Sequence, residues 1–181
     1  MREHLLRRFL LDPMSGAGNE NGASILRAVV LHPLQRPGSL MNAPVAFAAD
    51  KHRWDFEVGP PPMGGGMVNY DGAVLEISTD GGNNWQDITG FAQSPYNGQI
   101  TDISGNSLGG RDGFVGKSAG YPSFVTTTIG LNNSIAGKPF KLRFRIGTDP
   151  AAGAEGWDID EVAIQGATNK PFPPSLPCAT T

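Results

Sequence analysis

The sequence predicts an all-β fold, a two-layer antiparallel β-sandwich of the jelly-roll kind. From residue 45 to residue 165, apolar side chains recur with period two, which places them on one face of each strand. Glycine (25 residues) and proline (15 residues) are abundant and punctuate this region at short intervals. Many short strands follow, with almost no helical pattern, and this combination is typical of a sandwich or jelly roll.

The first strands are identified by local alternation and by the turns that end them. Residues 26–34 hold an apolar run that prolines interrupt, so we expect an edge strand there. In 51–57, two aromatic side chains and a histidine alternate with charged residues, which predicts a half-buried strand. Residues 71–78 form the next strand. A glycine-rich turn then returns the chain through its partner strand, residues 85–88.

The second half of the chain combines a long loop region with further strands. Residues 89–123 are rich in glycine, serine, asparagine and aspartate, and we expect them to carry binding surfaces. The β-branched run at 124–129 predicts a strand. The clearest strand lies at 138–146, where apolar and basic side chains alternate. In 157–165 the apolar side chains shift from odd-numbered to even-numbered positions, which predicts a β-bulge at Asp160–Glu161.

Composition and charge exclude several classes of function. A chain of 181 residues is long enough for one domain with its own core. The net charge of −3 provides no one-sided basic surface of the kind that nucleic-acid binding needs. No apolar run reaches the length of about 18 residues that a membrane span requires. Cys178 is the single cysteine, so an internal disulfide is excluded.

We expect three segments along the chain. Residues 1–40 form a poorly ordered or incomplete N-terminal segment, 41–167 form the sandwich domain, and 168–181 form a proline-rich tail. The N-terminus is basic, but Arg7 and Asp12 interrupt its apolar stretch too early for a signal peptide. We therefore interpret the chain as a fragment, a monomeric module within a larger multidomain protein.

A resemblance to a known family is carried by four segments in order: HRWDFE (52–57), YDGAVLEISTDGGNNWQDI (70–88), GRDGFVGKSAGYPSF (110–124) and FRIGTD…GWDIDEVAI (144–164). Together they resemble the MAM-like, concanavalin-like jelly-roll accessory domain of secreted bacterial metalloproteases, such as immune-inhibitor-A-type and fungalysin-type peptidases. The resemblance covers roughly residues 40–180. It implies a β-sandwich, an extracellular or cell-surface location, and an accessory rather than catalytic role.

Two motifs that accompany catalysis in other proteins are interpreted here as structural. Residues 78–85 fit S-x-D-x-G-x-x-W, the Asp-box hairpin, in which Asp80 bonds amides of its own turn above a packed tryptophan. Residues 116–120 match G-x-S-x-G, but no convincing helix follows Ser118 and every histidine precedes it. The zinc pattern H-E-x-x-H is absent, and His52 is interpreted as a core residue. We predict no catalytic residue.

Carboxylates at strand ends predict the place of a cofactor. Glu57 ends one predicted strand, Asp71 begins the next, and Asp160 lies at the predicted bulge. Calcium takes six to eight oxygen ligands, and strand ends offer both carboxylates and free carbonyls. We hypothesise one structural Ca²⁺ held by these three residues. The alternative is that they are solvated strand-end charges, or partners for Arg53 and Arg111.

Aromatic and basic side chains predict where a ligand would bind. Tyr96 and Tyr121 lie in loops rich in glycine, serine and proline, so we expect them to be exposed and available for stacking. Lys141, Arg143 and Arg145 form a basic stripe along one strand face. We interpret this stripe as the solvated side of its sheet. Recognition of an anionic glycan is the alternative.

Three hypotheses about function stay open. The first is a non-catalytic binding or adhesion module of a secreted bacterial protein, which binds protein or carbohydrate and orients a neighbouring enzyme. The second is a purely structural spacer. The third is a hydrolase with Ser118 as its nucleophile. The sandwich fold occurs in proteins with many different roles, so the fold by itself does not distinguish these three hypotheses.

Overall fold

A computed structural model describes residues 9–11, 23–31, 46–61, 63–102, 105–136, 138–160 and 162–165, with side chains described from residue 51 onward except at 163 and 165. The described residues form antiparallel strands and two single-turn 3-10 helices, Ile88–Gly90 and Asn133–Ile135. The strands are β1 (Phe9–Leu11), β2 (Ala23–Leu31), β3 (Ala46–Asp55), β4 (Val58–Gly59), β5 (Val68–Asn69), β6 (Gly72–Ser78), β7 (Gln86–Asp87), β8 (Gly98–Gln99), β9 (Asp112–Gly113), β10 (Val125–Gly130), β11 (Phe140–Gly147), β12 (Gly156–Ile159) and β13 (Val162–Gln165).

The strands assemble into two larger sheets and two small ribbons. The first sheet has the order β1-β12-β3-β10. A fifth strand, β13, also pairs with β3 but lies outside this order. The second sheet has the order β2-β11-β6-β7. The ribbons are β4-β5 and β8-β9. The predicted all-β antiparallel fold is confirmed.

The core lies between the two larger sheets. In β11 the alternating apolar side chains are buried and the intervening basic ones are half-buried, as the period-two pattern predicted. Across the core, the Phe144 ring of the second sheet meets the Trp157 ring of the first, with centroids 5.4 Å apart. Further buried members of this core are Trp54, Phe56, Leu75, Ile77, Phe114, Ile129, Leu142, Ile146, Ile159 and Val162.

Strands from the N-terminal segment belong to both sheets. β1 pairs with β12, and β2 pairs with β11 at the edge of the second sheet. The edge strand predicted at 26–34 is thus confirmed, but the boundary predicted at residue 40 does not separate these strands from the sandwich. The tail predicted at 168–181 lies outside the described residues.

The bulge predicted at Asp160–Glu161 is not seen in the strand register. Ile159 lies opposite His52 and Val162 lies opposite Ala49, so the same number of residues separates the two pairs on each strand. A bulge would place an extra residue on one strand. Glu161 itself lies outside the described residues.

The region predicted as an open loop, 89–123, packs onto the second sheet instead. Its side chains Ile100, Leu108 and Val115 are buried against Val74, which points away from the main core. Phe114 exchanges two backbone hydrogen bonds with Ala73 of β6, at 2.8 and 2.9 Å. β6 is therefore buried on both of its faces, and the described part of this region packs as part of the fold.

Candidate functional site

Three strand ends bring three carboxylates together. Glu57 follows β3, Asp71 immediately precedes β6, and Asp149 follows β11. The pairing of β6 with β11 sets Gly72 opposite Gly147, which places Asp71 and Asp149 side by side. One carboxylate oxygen from each residue lies within 4.8 Å of the other two. We call Glu57, Asp71 and Asp149 the carboxylate cluster.

Hydrogen bonds hold the carboxylate cluster in place without neutralising it. The Glu57 carbonyl accepts the amides of Tyr70 at 3.1 Å and Asp71 at 3.4 Å, which ties the two strand ends together. The Asp149 amide donates to Asp71 Oδ1 at 3.0 Å, and the Ala151 amide donates to Asp149 Oδ1 at 2.9 Å. The Glu57 Oε2 atom is buried and has no hydrogen-bond partner. An unpaired buried carboxylate oxygen is costly.

The electrostatics of the cluster disfavour three bare negative charges. Asp71 is 1% exposed. Burial of Asp71 raises its pKa from 3.8 to about 7, although the hydrogen bond from the Asp149 amide acts in the opposite direction. The charges of Glu57 and Asp149 add to the rise. The pKa of Glu57 is also raised, first by burial and then by the charge of Asp149. In the described part of the chain, no lysine or arginine forms an ion pair with the cluster.

The donor set of the cluster suits a hard cation. Each member offers carboxylate oxygen, and neither imidazole nor thiol belongs to it. Such all-oxygen sites are typical of Ca²⁺ and Mg²⁺. A cation here would give the orphaned Glu57 oxygen a partner, and it would oppose the burial and the repulsion that together raise the pKa of Asp71.

The structure brings together two of the three predicted ligands. Glu57 and Asp71 meet, whereas Asp160 lies elsewhere. The Asp160 amide donates to the Lys51 carbonyl at 2.7 Å, in the middle of β3, whereas Glu57 lies beyond the end of that strand. Asp149 takes the third place. Its sequence signal is a carboxylate directly after the clearest strand, but only the pairing of that strand with β6 reveals its neighbours.

Tyr96 was predicted to be an exposed ligand-stacking residue, and the structure places it against the protein instead. Its ring packs edge-on against Phe114, with centroids 5.3 Å apart. Its hydroxyl accepts the Leu75 amide at 3.0 Å and lies 3.2 Å from Asp87 Oδ1. Burial raises the pKa of Tyr96 far above its usual value, and the charge of Asp87 adds to this. Tyr96 therefore links the 89–123 region to β6.

Tyr121 is half-buried, and its ring and hydroxyl both have partners within the protein. The Lys117 Nζ atom lies 4.9 Å from the ring centroid and the Arg53 Cζ atom lies 5.8 Å from it. The hydroxyl donates to the Glu155 carboxylate, a bond that raises the pKa of Tyr121 to about 12. Arg53 also lies over the Phe124 ring, at 5.0 Å. A ligand that stacked on Tyr121 would share the ring with these cations.

The predicted basic stripe surrounds a buried carboxylate. Glu76 of β6 accepts Arg111 Nη1 at 2.7 Å and a bond from Arg143 Nε, and Arg145 Nη1 lies 3.7 Å from it. Arg111 also pairs with Asp87 at 2.7 Å. Two of the three stripe cations are therefore engaged within the fold, and the stripe is not the freely solvated face that the sequence predicted.

The Asp-box hairpin is confirmed as a structural motif. Asp80 Oδ1 accepts the Asn84 amide at 2.9 Å and the Ser78 hydroxyl at 2.8 Å. These bonds, led by the Asn84 amide, lower the pKa of Asp80 well below its usual range. Gly81 and Gly82 adopt positive φ angles of 79° and 100°, as the turn requires. The Trp85 indole closes the hairpin by donating to the Gly82 carbonyl at 3.0 Å.

Ser118 does not sit in an exposed elbow. It is 2% exposed, and its Oγ atom accepts the Trp54 amide at 3.3 Å. His52 is the one histidine whose side chain is described. Its Nδ1 atom accepts the Trp157 indole N–H at 3.2 Å, so the neutral ring carries its proton on Nε2, 2.7 Å from Thr127 Oγ1. His52 is buried, as predicted, and both of its nitrogens are engaged.

Comparison with protein-family models and with curated proteins finds no match to this chain. The resemblance to a MAM-like accessory domain therefore stays a prediction from the sequence. Within the described residues, no helix is both long enough and apolar enough to cross a membrane.

Proposed function

We propose that this chain is a non-catalytic β-sandwich module stabilised by one Ca²⁺, which the carboxylate cluster Glu57, Asp71 and Asp149 holds. A single observation carries the proposal: three carboxylate oxygens converge within 4.8 Å, and a buried oxygen of Glu57 beside them lacks a partner. The remaining ligands would be waters or carbonyls, since Ca²⁺ takes six to eight oxygens. The cation joins the ends of β3, β6 and β11, and so links the two sheets.

Calcium binding is tested by calorimetric titration of the EDTA-treated protein. We expect one site with a dissociation constant of about 1 mM or tighter, the range of extracellular calcium modules. Glu57→Gln should weaken binding about tenfold or more, because it removes a charged ligand. The matched control is Asp112→Asn, which changes an exposed carboxylate outside the cluster. Absence of binding by the wild-type protein at about 10 mM calcium would overturn the proposed site.

For the role of the module, we propose accessory binding of a protein or glycan ligand within a secreted bacterial protein, beside a metallopeptidase domain. The ordered sequence motifs that resemble metalloprotease accessory domains support this role. The buried position of Ser118 and the engaged nitrogens of His52 give the hydrolase alternative no support.

The spacer alternative is favoured by one observation. Both tyrosines that the sequence offers as ligand contacts, Tyr96 and Tyr121, use their hydroxyls within the protein. A glycan array distinguishes the two roles. Binding by the wild-type protein that Tyr121→Ala abolishes supports a binding module, whereas no glycan binding by the wild-type protein favours the spacer or a protein ligand.

A further inference from the structure

β11 carries three cationic residues on one face of the second sheet. Lys141, Arg143 and Arg145 alternate with buried apolar residues, so the three share the face that points away from the main core. Neighbouring members are two residues apart, which is about 7 Å along a strand. All three are half-buried. We call Lys141, Arg143 and Arg145 the cation row.

The described carboxylates beside the cation row are too few to neutralise it. Arg143 donates from Nε to Glu76, but Glu76 also accepts Arg111 Nη1 at 2.7 Å. Arg111 pairs in addition with Asp87, at 2.7 Å. Two carboxylates therefore face four cations, namely the cation row and Arg111. This part of the sheet carries an excess of positive charge, although the whole chain is acidic.

The Arg145 guanidinium has an incomplete set of partners. Its Nη1 atom lies 3.7 Å from Glu76 Oε1, and its Nη2 atom lies 3.3 Å from the Ser107 hydroxyl oxygen. Its Nε atom is buried and has no acceptor. Burial lowers the pKa of Arg145, and the charges of Arg143 and Arg111 add to this, while Glu76 acts in the opposite direction. An external anion at the Nη atoms would stabilise the charged guanidinium.

The Lys141 ammonium lies near the Asp-box hairpin, and within the described residues it forms neither a hydrogen bond nor an ion pair. A Cβ atom added at Gly82 would lie 3.4 Å from Lys141 Nζ and 3.6 Å from Trp85 Cζ2. Arg143 Cζ lies 4.3 Å from the centroid of the same indole. The Asp80 carboxylate uses both of its oxygens within its own turn. Two cations thus lie close to one tryptophan, and one of them has no counter-charge.

We propose that the cation row binds a linear acidic polysaccharide, whose sulfate or carboxylate groups pair with Lys141 and Arg145. Such binding rests on the accessory role proposed above, because it takes the ligand of that role to be a glycan. Lys141 and Arg145 are about 13 Å apart along the strand. A polymer that carries charges at intervals can reach both ends of the cation row, whereas a single small anion can reach only one.

Two other polyanions suit the cation row less well. A nucleic acid needs a more extensive basic surface than three cations on a chain of net charge −3. An acidic protein segment supplies carboxylates without sugar rings. The half-buried Trp85 indole at the Lys141 end adds an aromatic surface, which suits the apolar face of a sugar ring.

Calorimetric titration in EDTA tests the proposal, because EDTA removes calcium that could bridge a polyanion to the carboxylate cluster. The probes are a heparin hexasaccharide, which carries sulfate, an oligogalacturonate, which carries only carboxylate, and neutral dextran. We expect at least one acidic probe to bind and dextran not to bind. The acidic probe that binds more tightly identifies the preferred anion.

Lys141→Gln should weaken binding of the acidic probe about tenfold, because a hydrogen bond between charged groups is lost. The substitution breaks no ion pair, so the melting temperature should stay at the wild-type value. Arg145→Gln should also weaken binding. The matched control is Lys138→Gln, which removes the same charge from an exposed lysine outside the cation row and should bind as the wild-type protein does.

Three results would overturn the proposal. The first is a wild-type protein that binds neither acidic probe. The second is a Lys141→Gln variant that binds as tightly as Lys138→Gln. The third is binding of polyglutamate without binding of either polysaccharide, which would assign the cation row to an acidic protein segment. Glycan binding that Tyr121→Ala abolishes and Lys141→Gln leaves unchanged would support the accessory role and overturn only the cation row as its site.

Discussion

Two buried acidic sites lie on or beside β6, and their surroundings shift the pKa values of their carboxylates in opposite directions. Glu76 has a side chain only 4% exposed, and three arginines surround it. Its burial alone would raise its pKa, but the hydrogen bonds from Arg111 and Arg143 more than offset this, so its pKa is lowered. Asp71 is equally buried and lies beside two further carboxylates, so its pKa is raised to about 7.

The difference shows what a buried carboxylate needs. A charge removed from water must gain a counter-charge or take up a proton. The chain supplies the counter-charge to Glu76 from β11 and from the 89–123 region. For the carboxylate cluster, the described residues supply hydrogen bonds but no cationic side chain. The proposed Ca²⁺ would supply this counter-charge, and three predictions test the contrast between the two sites.

The largest effect is expected from Glu76→Gln. The substitution keeps the shape of the side chain but leaves three partly buried guanidinium groups without their shared counter-charge. We expect the free energy of unfolding to fall by about 3–5 kcal/mol, measured by urea denaturation. Arg111 also tethers the 89–123 region, so protection of that region from hydrogen exchange should fall.

The control for this prediction is Asp55→Asn, which breaks the pair between Asp55 and Lys117, a lysine with a side chain 62% exposed. Exposed pairs contribute less than about 1 kcal/mol. Equal losses in the two variants would contradict the central role that we assign to Glu76.

The second effect concerns Asp71→Asn and depends on pH. The folded-state pKa of Asp71, about 7, lies above its reference value of 3.8. Its contribution to stability is therefore complete below about pH 4 and is lost as the pH rises through 7. In EDTA, Asp71→Asn should be more stable than the wild-type protein at pH 8, by on the order of 4 kcal/mol. Chemical denaturation across pH 4–8 measures this difference.

Calcium should narrow the difference in stability between the two proteins. The wild-type protein should gain stability when calcium is added at pH 8, and Asp71→Asn should gain much less. If calcium stabilised both proteins equally, the ion would be binding elsewhere.

The third and smallest effect comes from His52, a buried group that stays neutral. Burial lowers its pKa from 6.5 to about 4. Its contribution is present above pH 6.5 and is lost as the pH falls through 4, which is opposite to the trend for Asp71. In the wild-type protein, Asp71 and His52 change the free energy of unfolding over the same pH range and in opposite directions. The effect of His52 should therefore be measurable by itself in Asp71→Asn, as a loss on the order of 2 kcal/mol between pH 6.5 and 4.

Adding His52→Gln to that variant should flatten this part of the curve, because an amide can accept from Trp157 and donate to Thr127 without titrating. A slope that persists in the double variant would assign the loss to other groups.

The strands were predictable because their signals are local. The alternation along β11 and the turn chemistry around Asp80 each depend on a few consecutive residues, and both are confirmed. Interactions between distant segments were harder to predict. Asp149 was missed and Tyr96 was expected to be exposed, because each is defined by a neighbour on another strand.

The order of residues by itself determined that this protein is built of antiparallel strands, since side-chain alternation and turn preferences act over a few positions. Which strands pair, and therefore which charges meet, was decided by the tertiary structure. The register of β6 against β11 brings Asp71 to Asp149 and Glu76 to Arg143. Burial of those pairs in one low-dielectric interior then sets their opposite pKa shifts, because a pKa responds to distance in space and not to position along the chain.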